Sequence, residues 1–242
     1  YLSEYGIQGD IMYGNHHKSH AAAGFATSKF DSAAVLVIDA IGEFTTTSIG
    51  IYETDGSGKI SGKKLYARRY PQSLGLFYSA ITDRVKLKAN EDEYILMGMS
   101  AYGKPTHAEE MRKMLQYKYN FHNGCRKFFP QADHFDLAAS AQKVYEEEFI
   151  KLLSYTETLT KSDNLVLMGG CALNCLANRH VHKFFKNVWV MPNPGDAGSS
   201  IGAIAAGEMQ MLNWETPYIG EEIKGKYPIK HIMEELLENN IV

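Results

Sequence analysis

The sequence predicts an α/β fold: a β-meander, then helices, then a βαβα half. Three observations carry this. Residues 33–39, Ala-Ala-Val-Leu-Val-Ile-Asp, form a short apolar run of buried-strand length ending in a carboxylate. The β-branched stretch 45–52 follows, and the turn Asp55-Gly56-Ser57-Gly58 leads into a third extended segment. From residue 165 the chain alternates strand, glycine and helix, which implies some parallel pairing.

Taken in order, His16 to about Ala26 reads as a helix of small residues. Residues 33–39, 45–52 and 59–69 are the meander strands. Helices are expected at 75–85 and 97–102, on either side of an acidic turn at 91–93, while 105–135 shows no clean period. Leu137, Ala141, Val144, Tyr145, Phe149, Leu152 and Leu153 share one helical face, with Asp136 as the expected N-cap. A strand at 165–168, a helix at about 173–185, a strand at 188–191 and a helix at 199–212 complete the second half. Beyond Trp214 the pattern is that of a linker and an amphipathic helix at 229–237.

The 242 residues carry a net charge of −3, so no broad basic field recommends a nucleic-acid partner. No run approaches the roughly 18 apolar residues of a membrane span. Three cysteines, an odd number, without a secretory signal read as reduced thiols in a cytoplasmic protein. A first residue of Tyr1 and an ending at Ile241-Val242 read as a piece of a longer chain.

Four segments have the residue types for chemistry. In His16-His17-Lys18-Ser19-His20, the first and last histidines lie one helical turn apart and can reach one metal ion, while His17 points elsewhere. The alternative is histidines satisfied in the core or by solvent. A zinc-peptidase motif would need Glu where His17 stands. Asp39-Ala40-Ile41-Gly42-Glu43, a carboxylate at a strand end before a glycine turn and three threonines, suits a cation and phosphate oxygens, or is a hairpin turn with a capping Asp. Gly169-Gly170 through Asn174 sits at a strand-to-helix junction where a ligand can approach the backbone, and Asn174 can address a ribose or base; a tight turn is the plain alternative. Asp196, in Pro194-Gly195-Asp196-Ala197-Gly198, is either an N-cap or a further metal ligand.

Together these residues resemble the O-carbamoyltransferases of nodulation-factor synthesis and antibiotic tailoring. The phrases that carry the resemblance are His-His-Lys-Ser-His-Ala (16–21), Asp-Ala-Ile-Gly-Glu (39–43), Tyr-Pro-Gln-Ser-Leu-Gly-Leu-Phe-Tyr-Ser (70–79), Leu-Met-Gly-Met-Ser-Ala-Tyr-Gly-Lys-Pro (96–105), Ala-Ala-Ser-Ala-Gln (138–142), Gly-Gly-Cys-Ala-Leu-Asn-Cys-Leu-Ala-Asn (169–178) and Pro-Gly-Asp-Ala-Gly-Ser-Ser-Ile-Gly-Ala (194–203). They run in family order across about residues 13–220.

The resemblance implies an actin-like ATPase (ribonuclease H-like) fold over residues 1–215 that lacks its N-terminal strands. Residues 216–242 would begin the connection to a YrdC-like domain. That second domain would make carbamoyl-adenylate from carbamoyl phosphate and ATP. The actin-like part would then pass the carbamoyl group to a hydroxyl of a sugar or other small acceptor with the help of Fe2+. The implied metal ligands are His16, His20, Asp39 and Asp196. Gly169, Gly170 and Asn174 would hold the adenosine, Gly42 would lie against the phosphate with Glu43 nearby, and His17 is the candidate base by residue type. A homodimer is left open. Two positions depart from the family pattern: Ala40 stands where a glycine is expected, and Ile95 where relatives carry Lys.

Overall fold

A computed structural model describes residues 13–217. Its centre is a mixed five-stranded sheet in the order β3-β2-β1-β4-β5, with β1 Ser32–Gly42, β2 Thr45–Thr54, β3 Ile60–Arg69, β4 Asn164–Met168 and β5 Asn187–Val190. The meander strands pair antiparallel, β1 with β2 and β2 with β3. On its other side β1 pairs parallel with β4, and β4 with β5. Residues 33–39 of β1 are all buried, as a strand covered on both faces requires, which explains why this stretch is apolar without alternation.

The two sheet faces make two cores. Leu36, Ile38, Ile49 and Leu167 pack against helices α2 (Leu74–Arg84) and α5 (His134–Thr160), including Phe77, Tyr145 and Phe149. Val35, Val37, Val166 and Met168 pack against α1 (His16–Thr27) and α7 (Ser199–Glu208). The small residues of α1 serve this packing. A Cβ on Gly24 would fall 2.6 Å from Val166 Cγ1, and one on Gly202 of α7 would fall 2.5 Å from the Ser19 carbonyl. Asn15 caps α1 by accepting from Lys18 N at 3.1 Å. The remaining helices are α3 (Glu93–Met99), α4 (Ala108–Gln116) and α6 (Cys175–Asn178).

Several sequence expectations need correction. Asp133, not Asp136, caps α5, accepting from Phe135 N and Asp136 N. Asp136 instead accepts from Lys104 N at 2.7 Å and fastens the preceding loop. The helix expected at 173–185 is broken into a 3-10 turn at Gly170–Leu173, the short α6 and a second turn at Val181–Lys183. Asn174 sits outside helical geometry and its side chain accepts from Ala177 N, a cap that starts a helix rather than continuing one. Helix α7 stops at Glu208, four residues early, because Met209 turns left-handed and its carbonyl accepts from Ile60 N at 2.7 Å. The expected helix at 229–237 lies outside the described residues.

Candidate metal-binding site

The site lies at the carboxyl ends of the parallel strands, where ligands of open α/β sheets characteristically bind. Helix α1 brings His16 and His20, β1 brings Asp39 near its end, and the loop after β5 brings Asp196. The His16 Nε2 lies 2.8 Å from Asp39 Oδ2 and 3.3 Å from Asp196 Oδ1. The His20 Nε2 lies 3.4 Å from Asp39 Oδ2 and 3.2 Å from Asp196 Oδ1, and the two ring nitrogens are 3.1 Å apart. All four donor atoms fall within 4.8 Å of one another, and among the described residues this is the one such cluster of three or more potential ligands.

These distances fit a bound cation. Ligand bonds of about 2.1 Å put neighbouring ligand atoms about 3.0 Å apart in an octahedron and about 3.4 Å apart in a tetrahedron. His20 and Asp39 are buried, whereas the Asp196 side chain is 72% exposed, so the cluster opens to solvent on the Asp196 side.

The electrostatics follow from this packing. Burial on its own would push the Asp39 carboxyl up. The hydrogen bonds from His16, His20 and the Ala40 N–H outweigh it and hold Asp39 well below the usual carboxylate range. His16 is raised by its hydrogen bond to Asp39, against the opposing effect of burial and with help from the charges of Asp39, Asp196 and Glu43. Asp39 is thus a charged acceptor oriented by the Ala40 N–H, which it holds at 2.8 Å.

The neighbouring residues position this cluster. A Cβ on Gly42 would lie 2.7 Å from His16 Cγ, so only glycine leaves room for the ring. Glu43, at φ +57°, accepts from Asn15 Nδ2 at 2.8 Å and from the His16 N–H at 3.4 Å. Gly42 and Glu43 thus both bear on the start of α1. Ser73, the N-cap of α2, donates to the Ala40 carbonyl at 2.6 Å and so pins the end of β1. Asn15 was missed, although an Asn just before a helical run is a recognised cap signal.

The remaining expected residues fall in different settings. Gly169 has φ +89°, and a Cβ there would lie 2.7 Å from the Ile38 carbonyl carbon, so the turn itself requires glycine. Gly170 is exposed, with Asp39 Oδ1 3.4 Å from where its Cβ would be, which leaves free space beside the cluster. Asn174 is buried, and its amide exchanges two hydrogen bonds with Gln142 at 3.0 and 3.1 Å. His17 does not join the cluster. Its Nδ1 lies 2.8 Å from Ser48 Oγ on β2, and burial pushes its pKa down to about 4. It is separated from the cluster because a helix turns successive side chains about 100° apart. Ala40 is accommodated, and Gly75 at the start of α2 gives its backbone room.

A family model described as the carbamoyltransferase N-terminus matches residues 5–205. The chain belongs to the carbamoyltransferase family. Among curated relatives of this carbamoyltransferase-family chain, an uncharacterised protein of Synechocystis sp. (sll1178) is 35% identical over 80% of the chain and 36% of its own length. The nodulation protein NolO of Bradyrhizobium diazoefficiens is 30% identical over 78% of the chain and 37% of its own length. NolNO of Sinorhizobium fredii is 29% identical over 83% and 32%. The chain therefore spans about a third of the length of these relatives. Among solved structures, full-length HypF in its phosphate- and nucleotide-bound form aligns with a TM-score of 0.47 at 13% identity, over 89% of this chain and 39% of HypF.

Proposed function

We propose that this chain carries the metal- and nucleotide-binding site of an O-carbamoyltransferase with an actin-like fold. The reaction is transfer of a carbamoyl group from carbamoyl-adenylate, made from carbamoyl phosphate and ATP, to a hydroxyl of a sugar or other small acceptor. Family membership supports the carbamoyl chemistry. The observation that carries the reading is the convergence of His16, His20, Asp39 and Asp196 on one point from three separate segments.

When bound there, a divalent cation, Fe2+ on the family resemblance, would polarise the carbamoyl carbonyl and offset phosphate charge. The chain's own residues do the rest. Asp39 and His20 form the buried wall, and Asp196 borders the open side by which substrate enters. Gly170 leaves ligand space beside Asp39, whereas Gly169 and Asn174 build the turn that presents it. An adenylate lying along this turn would hold its acyl carbon beside an acceptor, replacing a bimolecular encounter with an oriented one. His17, whose ring lies beside that of His16 but is bonded to Ser48 instead of joining the cluster, is not assigned as the base.

A YrdC-like domain elsewhere in the full-length protein would supply the adenylate. A reducing cytoplasmic setting accords with three free thiols, at Cys125, Cys171 and Cys175. Among the described residues no helix is long and apolar enough to cross a membrane.

The test is anaerobic reconstitution of the chain with ferrous iron, followed by metal analysis and binding of a non-hydrolysable carbamoyl-adenylate analogue. One equivalent of metal, with analogue binding that depends on it, supports the assignment. Metal without analogue binding would leave a metal-binding module. Phosphate release from ATP that needs neither His16 nor His20 would favour an actin-like phosphotransferase instead.

A further inference from the structure

A cleft of about 390 Å³ opens on the α2/α5 face of the sheet, across it from α1 and the histidine pair. Its size falls within the range of small-molecule sites. Four cations line it, Arg68 of β3, Arg112 of α4, Lys118 and Lys151, against one carboxylate, Glu148. Two of these charges are already spent. Lys151 pairs with Glu148 at 2.6 Å, and Arg112 is held by Glu147 at 2.6 Å and by Glu109. Arg68 and Lys118 have no acidic partner among the described residues. Arg68 is half-buried and Lys118 is exposed, so both charges remain accessible to a ligand entering the cleft.

One wall of the cleft is aromatic and rigid. Tyr119 and Phe121 meet edge to face at 5.2 Å, and the Tyr119 hydroxyl donates to the Gly124 carbonyl at 2.9 Å. Gln72 and Gln116 add amides at the rim. A planar guanidinium and an ammonium lining one cleft suit the oxygens of an anion, and a fixed aromatic wall suits the flat side of a ring.

The geometry points to a second ligand site here, for a small molecule carrying a phosphate or carboxylate on a ring-sized body, with Arg68 and Lys118 as its anion-binding pair. The site is separate from the His/Asp cluster and does not depend on the carbamoyl-transfer reading.

Calorimetric titration of the full chain, stripped of metal with a chelator, tests it. The probes are 4-nitrophenyl phosphate, 4-nitrobenzoate and the neutral 4-nitrophenyl glucoside. One or both anions are expected to bind saturably with Kd of about 1 mM or tighter, and which one binds separates phosphate from carboxylate. The neutral probe is expected to bind at least tenfold more weakly. Arg68→Gln and Lys118→Gln, each checked for folding by circular dichroism, are expected to weaken anion binding about tenfold, while His16→Ala leaves it unchanged. The proposal is overturned by absence of saturable anion binding, by equal binding of the neutral probe, by folded variants that bind as well as the parent, or by loss of binding in His16→Ala.

Discussion

The imidazole of His16 occupies the space that a side chain on Gly42 would need: a Cβ there would lie 2.7 Å from His16 Cγ. Glycine at 42 is thus a condition for the histidine's position, although the two residues belong to different elements. Gly42→Ala is expected to push the ring away from Asp39 and weaken cation binding at least about tenfold, the scale of lost ligand positioning. Because the residue lies at the end of β1, the fold should survive. Metal titration beside a thermal melt checks both halves, and unchanged affinity would show that the ring position does not matter.

The four proposed ligands should not weigh equally. Asp39 is buried and oriented by the Ala40 N–H, whereas the Asp196 side chain is largely exposed. Asp39→Asn and His20→Ala are expected to abolish stoichiometric metal, and Asp196→Ala to reduce affinity while leaving measurable binding. Elemental analysis after equilibrium dialysis tests this order. Full metal in the Asp39→Asn protein would remove Asp39 from the site.

The two glycines after β4 are expected to part company. Gly169 has φ +89° and a Cβ there would collide with the Ile38 backbone, so Gly169→Ala should cost more than about 2 kcal/mol of stability. Gly170→Ala meets only Asp39 Oδ1 at 3.4 Å and should stay within about 0.5 kcal/mol of the parent while narrowing the space beside the cluster. Urea melts rank the pair, and a ligand titration reads the second effect.

Behind this turn lies a polar network. Tyr78 donates to Gln142, Gln142 exchanges hydrogen bonds with Asn174 and donates to Glu146, and Glu146 holds His180 and Arg179. Asn174→Ala is expected to destabilise by about 1–3 kcal/mol, since it removes two buried hydrogen bonds of the Gln142 amide and uncaps α6. A loss under 0.5 kcal/mol would mean that the network is dispensable.

The same network predicts a pH dependence. Burial would raise the Glu146 carboxyl, but His180, Gln142 and Arg179 hold it below its usual value of 4.5. A folded-state value below the unfolded one means that the contribution is complete above about pH 4.5 and is lost as pH falls through the lower, folded value. Glu146→Gln should therefore flatten the acid limb of stability below pH 4.5, as measured by urea midpoints from pH 3 to 7. An unchanged limb would place the acid sensitivity elsewhere.

Local pattern was enough for much of this. The 3.6-residue period placed His16 and His20 on one face of α1 and turned His17 from it, and the apolar run 33–39 read as a central strand. Where the reading failed, a local cue was overruled by a distant partner. Asp136 has the chemistry of a cap but is engaged by Lys104 and Thr106. Residues 209–212 are apolar enough to prolong α7 but pair instead with the turn before β3 and with α1.

By itself the sequence determined which residue types were present and which of them one turn of helix or one strand end would bring together. That requires only the geometry of neighbouring residues. The tertiary structure decided that Asp196 meets His20 across 176 positions, that Glu43 anchors α1, and that Arg68 faces a cleft built from α2, α4 and α5. The first depends on β1 pairing parallel with β4, and β4 with β5, which brings the loop after β5 beside the end of β1, and the third on β2 and β3 pairing antiparallel on the other side of β1. Strand order is set by the packing of the whole sheet between two helical layers, and no short window of sequence contains it.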